Sequence, residues 1–284
     1  MKKPVLIVTI CILLVIAAII IFFNIPYSPL KSQFTSDVEN LISECEMNKN
    51  DYFTEKDIEN LPEPVQKYFR HCGFIGTRKM SYMSAVYNDV DFSTGRNGAN
   101  LMIDYTQYNF VSKPDRLALI ESSMFGVPFD GYDYYLHGQG GMKGVIGKCI
   151  TIFDTRGEEM NKACLVTWLS EALIAPNAAL QDFVKWSAID ENHAKAEVNY
   201  YGISVSGIFQ FNDQGEMISF TTNDRSVAEN DGTFTYVPWT AECDNYKETD
   251  GIMHPTQFRA VWNYDDGDYI YFNGNDIKIT YLYD

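Results

Sequence analysis

The chain opens on a block of apolar positions with no polar face. Pro4 to Phe23 reads PVLIVTICILLVIAAIIIFF and carries no charge. As a helix that run is about 30 Å long, the thickness of a bilayer's hydrocarbon core. It predicts a transmembrane helix that contacts the lipid bilayer through residues 4–23, with Pro26 and Pro29 leading out of it into an extended linker. After the block the apolar residues become periodic. Val38, Leu41, Ile42 and Cys45 fall at helical spacing, predicting a helix over 34–47 that starts with a Ser36/Glu39 capping box. Val65, Tyr68, Phe69 and Cys72 predict a second short helix over 64–72, opened by Pro64 and closed by Gly73.

From about Lys79 the period drops to two. Val205, Gly207, Phe209 and Phe211 share one strand face, as do Ile277, Ile279, Tyr281 and Tyr283. Turn signals at Asp213–Gly215, Asp231-Gly232, Asp250-Gly251, Asp266-Gly267 and Asn273-Gly274 separate the runs and predict antiparallel neighbours in a meander. Gly138, Gly140 and Gly141 lack phosphate-loop spacing and predict another hairpin turn. One helical stretch interrupts the strands. Over 158–175, Met160, Cys164, Leu165, Trp168, Leu169, Ala172 and Leu173 form an apolar stripe, Glu158 and Glu159 suit the first turn, and Pro176 follows. The expected fold is α+β: a transmembrane helix, then a curved antiparallel meander, half-barrel-like, packed around one amphipathic helix. The expected organisation is an anchor over 1–24, a linker with two short helices over 25–76, and a β-rich extracytoplasmic domain over 77–284.

Charge sets the orientation. Lys2 and Lys3 precede the apolar block, so the positive-inside bias keeps the N-terminus in the cytoplasm and the bulk outside. The block exceeds a signal peptide's core and no A-x-A site follows it, so an uncleaved anchor is expected. Of the 22 Lys and Arg only Lys2, Lys3 and Lys31 precede Gln33, and none of the 38 Asp and Glu does, so the formal net charge of −16 becomes −19 beyond it. Such a surface repels phosphate backbones and anionic headgroups, so nucleic acid is not expected as a partner and a positively charged or neutral ligand is easier to accommodate. Five cysteines lie outside the apolar block, an odd number without a C-x-x-C pair. Most suit small buried positions, and Cys45 with Cys72, on the two neighbouring predicted helices, is the pair best placed for a disulfide.

Four stretches resemble an uncharacterised bacterial family of the domain-of-unknown-function type. They are FTEKDIENLPEPVQKYFRHCG (53–73) with its LPEPV-x-x-Y core, GYDYYLHGQGGM (131–142), LVTWLSEALIAPNAAL (165–180) leading into VKWSAID (184–190), and DGIMHPTQFRAVWNY (250–264). The resemblance implies a β-rich domain and brings no reaction or ligand with it. At fold level, a curved sheet over one helix looks like the half-barrel of bacterial lipoprotein carriers, whose sheets enclose an apolar cavity.

Candidate chemistry is sparse. Glu171 sits at the edge of the apolar helix face, as a carboxylate held near a sheet interior or as an ion-pair partner of Arg116 or Arg225. Trp168, Trp239, Trp262 and Tyr134 are candidate ligand contacts beside Arg225 and Glu171, and each also suits an ordinary β core. The histidines are scattered, no H-E-x-x-H occurs, and Asp265-Asp266-Gly267-Asp268 lacks the twelve-residue calcium-loop grammar, so neither metal nor cofactor is expected. No G-x-S-x-G elbow occurs. Three functional classes remain: a tethered domain binding a hydrophobic or amphipathic ligand or an envelope partner, a hydrolase or isomerase using Glu171, and a structural module of envelope assembly.

Overall fold

The structure, a computed structural model, describes residues 2–45, 51–96, 98–228 and 233–283. Helix α1 (Lys2–Asn24) is apolar on every side, and its side chains from Lys3 to Phe22 are exposed. By length and composition it is able to cross a membrane. No extended linker follows. Helix α2 (Pro29–Glu44) begins after four residues, because Ser28 caps it by accepting from the Lys31 amide at 3.1 Å and Pro29 occupies its first turn, where no amide is needed. The Ser36/Glu39 pair therefore lies inside the helix rather than at its start, and the expected end at Glu46-Met47 lies outside the described residues. Leu30, Phe34, Val38 and Leu41 form the buried stripe of α2.

Helix α3 (Glu55–Ile58) carries a Thr54/Asp57 capping box, and α4 (Glu63–His71) buries Val65, Tyr68 and Phe69. Gly73 ends α4 at φ +77°, and a Cβ there would come within 2.6 Å of the Gly251 carbonyl.

The strands are β1 (Tyr82–Ser93), β2 (Asn100–Phe110), β3 (Arg116–Met124), β4 (Val127–Leu136), β5 (Gln139–Ile146) and β6 (Ile150–Arg156). Helix α5 (Glu158–Ser170) follows, and then β7 (Val184–Ala188), β8 (His193–Tyr200), β9 (Ile203–Phe211), β10 (Met217–Thr222), β11 (Ser226–Ala228) and β12 (Phe234–Tyr236). The chain continues with β13 (Trp239–Asp244), β14 (Lys247–Thr249), β15 (Ile252–His254), β16 (Gln257–Tyr264), β17 (Gly267–Gly274) and β18 (Lys278–Leu282). One 14-stranded sheet runs β6-β5-β4-β3-β2-β1-β17-β16-β13-β10-β9-β8-β7. β18 continues alongside β1, from Tyr82↔Leu282 to Val86↔Lys278. The two local meanders join where Asp91 and Phe92 of β1 meet Asn273 and Phe272 of β17. Among the described residues β6 and β7 do not pair, so the barrel stays open.

Helix α5 links these two free edges and packs against β5 and β9. Eight strands lie between β5 and β9, so a flat sheet would hold them roughly 40 Å apart. One helix touches both only because the sheet curls around it, with bulges at Tyr87/Val90, Gly144/Val145, Met217/Ser219 and Ala260/Val261. Leu165, Trp168, Leu169 and Leu173 fill the hollow with Tyr135, Phe209 and Phe220 and with the faces of α3 and α4. On the outer surface α2 covers Tyr82, Phe110, Leu117, Leu119, Tyr132 and Val145 in a separate core.

The helix expected over 158–175 ends at Ser170. Its last turn tightens, with the Glu171 and Ala172 amides bonding three residues back to Trp168 and Leu169. The Leu173 carbonyl instead accepts from the Tyr68 hydroxyl at 2.9 Å. A short 3₁₀ turn, Pro176–Ala178, completes the connection. The helix is also less one-sided than its pattern implies, since Ala163 and Val166 are buried along with the stripe.

The signals at Asp213–Gly215 and Asp250-Gly251 lie between paired strands, Asp266-Gly267 forms the turn that enters β17, and Asp231-Gly232 lies outside the described residues. Asn273-Gly274 is not a turn but the end of β17, where a Cβ on Gly274 would come within 2.7 Å of the Tyr87 ring. Among the described residues no disulfide joins Cys45 to Cys72. Their helices pack on opposite faces of the sheet, Cys45 against the outer core and Cys72 within the inner one.

Candidate functional site

Alternation along three neighbouring strands places a polar cluster inside the curl. Tyr105, Gln107 and Asn109 share the inner face of β2, Arg116 of β3 lies opposite Asn109, and Asp133 of β4 is two residues from the inward Tyr135. Arg116 is only 4% exposed and needs acceptors for its donors. Its Nε donates to Glu171 Oε2 at 2.8 Å, Nη2 to Glu171 Oε1 at 3.2 Å and to the Tyr105 hydroxyl at 2.7 Å, and Nη1 to Asp133 Oδ2 at 2.9 Å. Asn109 Nδ2 donates to Glu171 Oε2 at 2.6 Å, and Gln107 Nε2 to Asn109 Oδ1 at 3.0 Å. Burial works against the Arg116 charge, but Glu171, Tyr105 and Asp133 outweigh it and hold its pKa above the usual guanidinium range. Cys164 Sγ lies 3.8 Å from Asp133 Oδ1. Burial first, and the Asp133 charge second, push that thiol's pKa up, so it stays protonated rather than acting as a nucleophile.

Beside this cluster lies a cavity of about 230 Å³. Its origin is visible in the register of β13 against β16. Trp239 faces Trp262 and Cys243 faces Phe258, but between them Ala241 faces Ala260. Two methyl groups stand where the neighbouring pairs carry rings and a thiol, and Tyr87, Phe92 and Phe272 close the space. Gln107, Arg116, Asp133 and Glu171 form one wall. Arg225 forms another, its guanidinium 4.5 Å from the Trp239 ring centre and 5.7 Å from that of Trp262. A roomier groove of about 730 Å³ runs along β18, past Thr77, Lys247, Asp276 and Lys278. His254 and Thr256 on it are buried, but its charges are exposed and pair at the surface, as in Lys247–Asp276 at 3.0 Å, so it lacks a buried ionic wall.

Glu171, Arg225, Trp239 and Trp262 thus line one cavity. The partner of Glu171 is Arg116, not Arg225. Trp168 does not reach the cavity; it is buried beside Phe183 and donates to the Phe110 carbonyl at 3.2 Å. Tyr134 faces the other way. Alternation on β4 sends Tyr132 and Tyr134 to the outer core and Asp133 and Tyr135 inward. Asp133, Gln107 and Asn109 were not singled out by sequence reasoning. The usable signal was a polar pair, Gln107 and Asn109, continuing the inward face that Tyr105 begins. Among the described residues no group of three or more His, Cys, Asp or Glu is arranged to hold a metal ion.

Fold and site together define an α+β protein whose open antiparallel half-barrel holds a helix and a small aromatic cavity with a buried ionic wall. The chain belongs to DUF6544, a family of unknown function, whose profile matches residues 51–274. No curated protein matches it. Among solved structures, a LolA superfamily protein from Nitrosomonas europaea is similar over 78% of this chain and 94% of its own, at 12% identity and a TM-score of 0.40. A DUF1329 family protein from Desulfovibrio piger is similar over 77% of this chain and 91% of its own, at 13% identity and a TM-score of 0.31.

Proposed function

We propose that this protein is a membrane-tethered binding domain that holds an apolar or amphipathic small molecule in the cavity between α5 and β13–β16–β17, outside the cytoplasm. The observation that carries the reading is the Ala241–Ala260 gap in an aromatic face, which leaves about 230 Å³ unfilled beside buried charged groups. Native interiors hold few voids larger than a water molecule, so a gap of this size is a candidate ligand site. Helix α1 supplies the tether, and Lys2 and Lys3 favour a cytoplasmic N-terminus. An enzymatic role for Glu171 is disfavoured, because both of its oxygens already accept from Arg116 and Oε2 from Asn109 as well. The test is native mass spectrometry of the full chain released from membranes. The reading expects a bound small molecule in a defined ratio, and a chain that consistently flies empty and takes up no amphiphile would overturn it.

A further inference from the structure

The cavity treats its two arginines differently. Arg116 is more than balanced by two carboxylates, Glu171 and Asp133. Arg225 makes no ion pair with any described residue. Its Nη1 donates to Thr167 Oγ1 and to the Ala163 carbonyl at 3.4 Å, its face rests on two tryptophans, and its Nε is buried without an acceptor. Arg259, also on the lining, pairs with Glu242 at 2.9 Å. A guanidinium without a carboxylate partner, held by its face on an aromatic bed and with Nη2 bonded to no described residue, is an arrangement that receives an oxyanion. The geometry points to a single-chain amphiphile with an anionic oxygen headgroup, carboxylate or phosphate monoester, bound with its head at Arg225 and its chain in the Ala241–Ala260 gap. This rests on the binding reading above. A cavity of about 230 Å³ lies below the range of about 300–1,000 Å³ typical of drug-sized ligands, which favours one chain over two.

The experiment uses the full chain in zwitterionic vesicles, with tryptophan emission titrated by four brominated ten-carbon probes: a carboxylate, a phosphate monoester, an alcohol and a trimethylammonium. The anions are expected to quench at concentrations about tenfold or more below the alcohol. The stronger of the two anions identifies the headgroup. R225Q is expected to bring the anions to the level of the alcohol, while R225K restores part of the gap. Equal or tighter binding of the ammonium probe, or an unchanged anion-to-alcohol ratio in a folded R225Q, overturns the headgroup assignment and leaves the cavity reading standing. No quenching by any of the four overturns both.

A second, independent observation concerns the rim beside α1. The β3–β4 turn carries Phe125 at φ +52° and 98% exposed, followed by Gly126 at φ +79°. A bulky aromatic is strained in a position that suits Asn or Gly. Met124, Ile150 and Ile152 near it are exposed too. In the adjoining β5–β6 turn, Lys148 is almost fully buried because its ammonium caps the end of α1, donating to the Phe22 carbonyl at 2.8 Å and to that of Ile25. The rim is therefore fastened where the apolar helix ends. We infer that this rim sits in the lipid headgroup region, Phe125 reaching toward the acyl chains, so that the domain lies on the bilayer rather than hanging free of it. The emission gained by F125W over the wild type, in vesicles of brominated lipid, is expected to be blue-shifted and quenched. Solvent-like, unquenched emission from protein that still resists carbonate extraction overturns the apposition and spares the anchor. Extraction of the whole chain by carbonate overturns both.

Discussion

The Arg116 cluster sets a buried guanidinium against two half-buried carboxylates, and such groups are costly when one of them loses its counterpart. Arg116→Gln leaves Glu171 and Asp133 facing each other unneutralised and is expected to cost about 3–5 kcal/mol in denaturant unfolding. Glu171→Gln keeps the shape and two of the contacts and should cost less, about 1–3 kcal/mol. The order of the two is the check. A second residue governs pH response. His254 is buried, and burial, only partly offset by the Pro255 carbonyl, pushes its pKa below 6.5. Below that value the unfolded chain takes up a proton that the folded chain refuses, so stability rises with pH up to about 6.5 and falls as pH drops beneath it. His254→Gln should flatten this part of a melting-temperature profile, and an equally steep slope in the variant would assign the acid sensitivity elsewhere. At this scale the sequence disclosed Glu171 as a boundary carboxylate, because it breaks a helical stripe. It did not disclose Asp133, because GYDYYL alternates between two buried faces and both carry tyrosines.

Element by element, legibility followed how local the controlling interaction is. The Asp250-Gly251 hairpin was readable from two residues, which sit at φ +52° and +81°. Asn273-Gly274 has the same signature but answers to Tyr87 on another strand, a contact no local pattern reports. Helix α2 began earlier than its apolar stripe suggested, since a proline reads equally as a linker or as a first helical residue, and only the Ser28 bond decides. Ser28 is itself 3% exposed, so its hydroxyl has no water to fall back on. Ser28→Ala is expected to cost about 1–2 kcal/mol. The loss should be visible as faster amide exchange in the first turn of α2 with exchange in β13 and β16 unaltered.

For the molecule as a whole, alternation and turn spacing made the class of fold legible, but not the joint that turns two meanders into one sheet. The β1–β17 pairing spans most of the domain and rests on register rather than on any motif. The cavity follows from that joint, because only a curl that brings β13 and β16 over α5 leaves the Ala241–Ala260 gap facing Arg116 and Arg225. Two alanines in separate strands announce nothing until they are paired. Replacing both with leucine supplies the missing side chains from within. If the space is slack that the fold tolerates, Ala241→Leu with Ala260→Leu should leave melting unchanged or raise it, since filling a void restores lost contacts, and amphiphile uptake should disappear together with the quenching of Trp239 and Trp262. If the double variant instead melts lower by the equivalent of about 1–3 kcal/mol, the surrounding rings are rigid and the gap is a shaped site. Uptake that survives in either case would move the ligand out of the half-barrel altogether.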